Sequence, residues 1–135
     1  MSLLVLEVGG GRRAALPLAE VARLEEFPAG RVERAGPVEV VQYRDGLLPL
    51  VRLAPRIGLP DRRDGADADV AVVVHEVADR AVGIVIDRVL DVVETEVVPS
   101  SVGRRPGVLG SAVVQGHVTD LVDLGAVVAA AEVPA

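Results

Sequence analysis

The stretch EVGGGRRAALPLAEVARLEE (residues 7–26) returns as EVADRAVGIVIDRVLDVVE (residues 76–94), and that return decides the fold. Glu7, Val8 and Arg12 lead to Leu16, Leu18, Val21, Leu24 and Glu26, while Glu76, Val77 and Arg80 lead to Ile84, Ile86, Val89, Val92 and Glu94. The offset is 69 before the arginine and 68 from it onward, so the second turn is one residue shorter. A further match sets Leu50-Val51-Arg52-Leu53 against Leu121-Val122-Asp123-Leu124. Single Val and Leu coincidences are common in a chain that is 50% hydrophobic, so the preserved order and spacing carry the inference. Two similar halves imply two copies of one small unit packed together.

Working outward, Leu3 to Val8 and Ala14 to Leu18 flank the turn Gly9-Gly10-Gly11 and predict a hairpin. Ala19 to Arg23 suits a brief helical turn and Leu24 to Phe27 an extended segment ended by Pro28-Ala29-Gly30. Val38 to Tyr43, Arg44-Asp45-Gly46 and Leu47 to Leu53 predict the next hairpin, because Asp-Gly supplies the positive φ of a tight turn. Residues 58–69 are polar and turn-rich and read as a linker. Beyond it Val70 to Val77, Ala81 to Ile86 and Val89 to Glu94 repeat the first three strands. Val108 to Gln115 and Val118 to Leu124, joined at Gly116-His117, repeat the second hairpin, with Pro99 to Gly107 as the loop before it. Asp123 caps a short closing helix to Ala131, with fraying expected after it.

One Phe, one Tyr and no Trp leave the core to Val, Leu, Ile and Ala, and β-branched residues favour strands. Five short strands per half are best closed as a small barrel, which removes exposed edges, giving two barrels side by side over residues 3–128. Residues 3–57 then make the first barrel half and 70–128 the second; a single larger sandwich is the alternative.

Composition excludes several functions. The net charge of −6 and the scarcity of aromatics argue against a nucleic-acid surface. All 14 basic residues are arginine, so P-loop and Schiff-base chemistry have no lysine to use. No run is long and apolar enough to insert in a membrane, no secretion signal stands at the N-terminus, and the absence of cysteine suits a cytoplasmic setting.

No catalytic constellation, cofactor motif or metal cluster is expected. His117 is predicted at a hairpin tip as a solvated imidazole beside Thr119 and Asp120. His75 falls mid-strand, either outward-facing or packed, and a lone His is a poor metal site. Asp87, Asp91, Glu94 and Glu96 read as a solvated face opposite Val89, Val92 and Val93 rather than paired catalytic acids. Ser100 and Ser101 lack a nucleophile-elbow context. What remains is apolar surface and strand edges, which makes an interaction module the leading class.

The residues resemble a family. Ala15-Leu16-Pro17-Leu18-x-x-Val21-x-x-Leu24, the run from Val40 to Leu53, the run from Val82 to Val93 and the run from Gly116 to Leu124 are together similar to the CheW-like domain of bacterial chemotaxis signalling. Within that family the chain looks closest to the C-terminal regulatory domain of the histidine kinase CheA. Free adaptors usually carry Asn-Leu-Arg-Gly and a later Asp-Leu, where this chain has Gln42-Tyr43-Arg44-Asp45 and Arg52-Leu53. The resemblance implies two five-stranded SH3-like barrels and a short C-terminal helix in a non-catalytic regulatory module. Such a module couples receptors to a histidine kinase, and the kinase's phosphoacceptor and ATP-binding domains are absent from this chain. It implies as partners a CheW-type adaptor, the cytoplasmic signalling tip of a chemoreceptor and the other domains of a CheA-type kinase, with no cofactor. A stand-alone CheW-type adaptor, an unrelated double-barrel scaffold and an enzyme with an unrecognised site remain as alternatives.

Arg44 matches the family's arginine after the third-strand motif and is the candidate positioning charge, or else an exposed turn arginine. Val21, Leu24, Val89 and Leu90 follow the two matching second strands and are the candidate groove residues, or else ordinary core.

Overall fold

Runs of Val, Leu and Ile broken by Gly, Asp-Gly and Pro fold into eleven short strands and two short helices in the computed structural model, which describes residues 1–61 and 68–131. The strands are β1 (Ser2–Val8), β2 (Arg12–Pro17), β3 (Arg23–Phe27), β4 (Glu33–Ala35), β5 (Val38–Tyr43), β6 (Gly46–Arg52), β7 (Val70–Val77), β8 (Arg80–Ile86), β9 (Arg88–Glu94), β10 (Val108–Val114) and β11 (His117–Val122). A single turn, α1 (Leu53–Arg56), follows β6, and α2 (Leu124–Ala130) follows β11. The expected Asp cap of α2 is present: Asp123 Oδ1 accepts a hydrogen bond from the Ala126 amide at 3.1 Å. The helical turn expected after β2 is a 3-10 turn at Leu18–Glu20. Strand β4 escapes the sequence reading because a three-residue polar strand, Glu33-Arg34-Ala35, carries no alternation to see. Of the expected linker 58–69, residues 62–67 lie outside the described residues, as do 132–135, where fraying was expected.

Two sheets form, mostly antiparallel. One runs β10-β11-β2-β1-β9 and the other β3-β7-β8-β6-β5-β4. The sheets do not follow the sequence halves: each takes strands from both, so residues 3–57 and 70–128 are interleaved rather than each closing its own sheet. The reason lies in β1 and β7. Leu3 and Val5 enter the interior of the first sheet with Ala15, Ala112 and Val114, while Leu4 and Leu6 face the other way into a core shared by both halves. In the same manner Val72 and Val74 join Phe27, Val41, Leu48 and Leu50 inside the second sheet, and Val73 turns to the shared core. Strands apolar on both faces need a cover on each side, and neither half can supply both.

The exchange obeys the sequence repeat. Leu4 lies opposite Val92 just as Val73, its counterpart, lies opposite Leu24. The parallel pairs match too, with Leu121 opposite Ala15 and Leu50 opposite Gly83. Between the sheets, Leu16, Val51, Leu53 and Ile57 meet Val82, Ile84, Val122, Leu124 and Val127 in one cluster that α1 and α2 help to close.

At Gly83 an added Cβ would lie 2.7 Å from Leu50 Cδ2 and 2.8 Å from Val72 Cγ1, whereas the counterpart position accommodates Ala15. Gly83→Val is therefore expected to cost about 2 kcal/mol by overpacking, measured as a lower urea midpoint. An unchanged midpoint would contradict the packing.

Candidate partner interface

The groove begins with strand edges. Strands β3 and β9 occupy the outer position of their respective sheets, and each sets one face toward the shared core. On β3 that face carries Leu24 and Glu26, and on β9 it carries Val92 and Glu94, at counterpart positions of the repeat. Because the strands are marginal, the apolar face runs out from the core to solvent: Leu24 is 45% exposed, Val89 38% and Val92 50%. Leu24 and Val89 line one depression, together with Ala71 and Val72 on its floor and Glu25, Glu26, Asp69, Asp87 and Arg88 on its rim.

Two of the four groove candidates, Leu24 and Val89, thus lie together. Val21 is half-buried and packs against the shared core, and Leu90 is half-buried against the interior of the five-stranded sheet. Arg44 is exposed at the β5-β6 hairpin tip and lines a second shallow depression with Gln42, Tyr43 and Leu47.

That tip is unusual. Arg44 and Asp45 both adopt positive φ, 49° and 64°, which a two-residue type I′ turn needs and which costs a non-glycine residue energy. The Arg44 guanidinium lies 5.4 Å from the centre of the Tyr43 ring, a cation–π contact, and the Tyr43 hydroxyl donates to Glu25 Oε1 at 3.1 Å. Leu47, opposite Gln42, is 62% exposed beside it. The counterpart tip, between β10 and β11, turns at Gln115 and Gly116 with φ of 51° and 75°, one residue before the expected Gly116-His117. Its counterpart pair, Val113 opposite Val118, is 72% and 73% exposed. Sequence reasoning passed over Leu47, Val113 and Val118 because strand alternation does not reveal which apolar positions lack a neighbour.

The polar residues around β11 are tied into the fold. Thr119 and Asp120, within the expected strand, are buried, while His117 is exposed as expected. Asp120 Oδ2 accepts from Arg105 Nη2 at 2.9 Å and lies 3.6 Å from Arg12 Nη2. Arg105 also donates from Nε to the Ile57 carbonyl at 2.7 Å and from Nη1 to the Gly103 carbonyl at 2.8 Å, tying the loop before β10 to both halves. His75 is packed: its Nδ1–H donates to the Glu20 carbonyl at 2.8 Å. Asp87 accepts from the Gly10 amide at 2.9 Å, and Asp91 from Gln115 Nε2 at 2.8 Å, both in structural roles.

Two groups are shifted from their ordinary ionisation. Arg52 is held further in its charged form by its hydrogen bonds to Glu39, at 2.7 and 2.9 Å, against the opposing effect of burial. Glu94 is held below the usual carboxylate range, first by the hydrogen bond from the N-terminal ammonium and then by that from the Ser2 hydroxyl. Among the described residues no group of His, Cys, Asp and Glu is placed to hold a metal.

Two sheets that each draw strands from both halves, a groove at their edges with Leu24 and Val89 exposed, and hairpin tips with exposed apolar residues suit a protein-interaction module. The chain belongs to the CheW-like domain family, which it matches over residues 2–132. Domains of that family are non-catalytic scaffolds of chemotaxis signalling that couple receptors and kinase, and this chain is one of them. Among solved structures it is similar to the scaffolding protein TtCheW from Thermoanaerobacter tengcongensis, with a TM-score of 0.70 over 91% of this chain and 84% of that one. At 17% identity that likeness is one of fold. No curated protein sequence matches the chain.

Proposed function

We propose that this chain couples a chemoreceptor signalling tip to a CheA-type kinase, with the tip helix lying in the Leu24–Val89 groove and adaptor or kinase contacts made at the two hairpin tips. The carrying observation is the groove itself: two edge strands from different sheets leave Leu24 and Val89 exposed over a floor continuous with the core. Apolar residues exposed side by side at the ends of a well-packed sheet are what a helix-in-groove partner buries. Arg44 then positions a partner at the first hairpin tip, where Leu47 supplies apolar contact; Val113 and Val118 supply it at the second. Two related but distinct tips suit heterologous contacts, and modest interfaces gain from multivalency in an array. Attachment to receptors in the cytoplasm follows from the same reading; among the described residues no helix is long and apolar enough to cross a membrane.

Within the family, Gln42-Tyr43-Arg44 still favours the regulatory domain of the kinase over a stand-alone adaptor. Arg52 counts for less, because its guanidinium is spent on Glu39 and, at 3.7 Å, on Asp61, which makes it a structural residue.

Leu24→Arg is the test. Leu24 is 45% exposed, so the substitution is expected to leave the melting curve within about 0.5 kcal/mol of the parent. Binding to the receptor tip should fall at least about tenfold, because the groove loses an apolar contact and gains a charge. Unchanged binding overturns the groove assignment, and unfolding would return Leu24 to the core.

A further inference from the structure

The rim of the groove is charged on one side of zero. Four acidic residues, Glu25, Glu26, Asp69 and Asp87, line the depression with Leu24 and Val89, and Arg88 is the one cation among its lining residues. Of the two on β3, Glu26 shares the face that carries Leu24, while Glu25 turns to the other face and to Tyr43. Arg88 does not neutralise them, since its Nη2 is turned to Glu7 at 3.1 Å. Glu25 and Asp87 each accept one hydrogen bond, from the Tyr43 hydroxyl and the Gly10 amide, both neutral donors. The side chains of Glu26 and Asp69 are exposed, and neither carboxylate hydrogen-bonds to a described residue. Removing water from these groups against an apolar or acidic partner would cost free energy, whereas a cation would be attracted into a shallow, partly low-dielectric groove.

We infer that the occupant of this groove is a helix whose apolar stripe is flanked by arginine or lysine, and that the carboxylates of Glu26 and Asp69 select for that flanking charge. The inference rests on the groove reading above and adds the sign of the partner. Apolar contact through Leu24 and Val89 supplies affinity, and the rim supplies discrimination, since exposed ion pairs are individually weak but like charges across an interface are rejected. Binding is accordingly salt-dependent, because charges at a solvent-exposed rim are screened over about 10 Å at 0.1 M salt.

The experiment uses two synthetic helical peptides with the same leucine stripe, one flanked by arginine and one by glutamate, titrated into the full chain with amide resonances of Leu24 and Val89 as the readout. The arginine peptide is expected to bind about tenfold more tightly than the glutamate peptide at low salt. That preference should disappear in the double variant Glu26→Arg, Asp69→Arg and shrink at high salt. Equal binding of both peptides, lost in Leu24→Arg, overturns the charge inference and leaves the groove reading standing. Binding of neither peptide, or equal binding of an arginine peptide broken by proline, overturns the inference of a basic helix. The receptor-tip titration with Leu24→Arg decides the groove reading separately.

Discussion

Residues 1–61 and 68–135, prepared as two polypeptides, are expected to be largely unfolded alone and to recover the spectrum and cooperative melt of the intact chain when mixed in equal amounts. Each sheet needs both partners: β1 and β2 stand between β11 and β9, and β7 and β8 stand between β3 and β6. Alone, the first polypeptide keeps only the hairpins β1-β2 and β5-β6 with β4, and the second only β7-β8 and β10-β11. Isolated hairpins are marginal in water. Leu4, Leu6, Leu16 and Val51 would lose Val73, Ile84, Val122 and Leu124, with each fully buried Leu or Val contributing about 2 kcal/mol. Mixing restores every pairing, at the cost of a concentration-dependent association in place of the covalent link. Cooperative folding of either polypeptide by itself, seen by circular dichroism and dispersed amide resonances, would contradict the interleaved topology.

The second large effect is expected at Arg105. Arg105→Ala should lower stability by about 3 kcal/mol in urea denaturation, because the Asp120 carboxylate, its side chain 6% exposed, keeps among the described residues only Arg12 at 3.6 Å, and the Ile57 and Gly103 carbonyls lose a donor. Replacing both members with apolar residues, Arg105→Met with Asp120→Leu, should cost clearly less than Arg105→Ala, since the penalty is that of an uncompensated buried charge and not of the missing pair. A loss below about 0.5 kcal/mol in the single variant would show that water reaches Asp120 and that the loop before β10 is not held by this contact.

The repeat made much of the fold legible. Strand positions, both hairpins and the capped final helix follow from alternation, turn residues and Asp123, which are local properties. How the halves pair is not local. The double apolar face of β1 and β7 was visible as the runs Leu3-Leu4-Val5-Leu6 and Val72-Val73-Val74, but the runs do not say which strands supply the two covers. The partner of Asp120 was hidden for the same reason: Arg105 lies in an irregular loop, and no sequence pattern marks a salt bridge between a loop and a strand. At the site, Leu24 and Val89 come together because the repeat predicts equivalent strands and the exchange sets their edges facing one groove. Val21 and Leu90 share the same sequence periodicity but turn inward, an orientation fixed by the register shift in β9 and by contacts with the cores.

The most direct test of the coupling role is a titration of this chain with a CheW-type adaptor from the same cell, followed by calorimetry and light scattering, with and without a receptor signalling-tip helix pair. Saturable heat and a complex of defined mass are expected, weakened by Leu47→Glu or Val118→Glu at the hairpin tips while Leu24→Arg removes only the receptor component. Absence of heat with both partners, from a chain whose melt shows it folded, would contradict the coupling role.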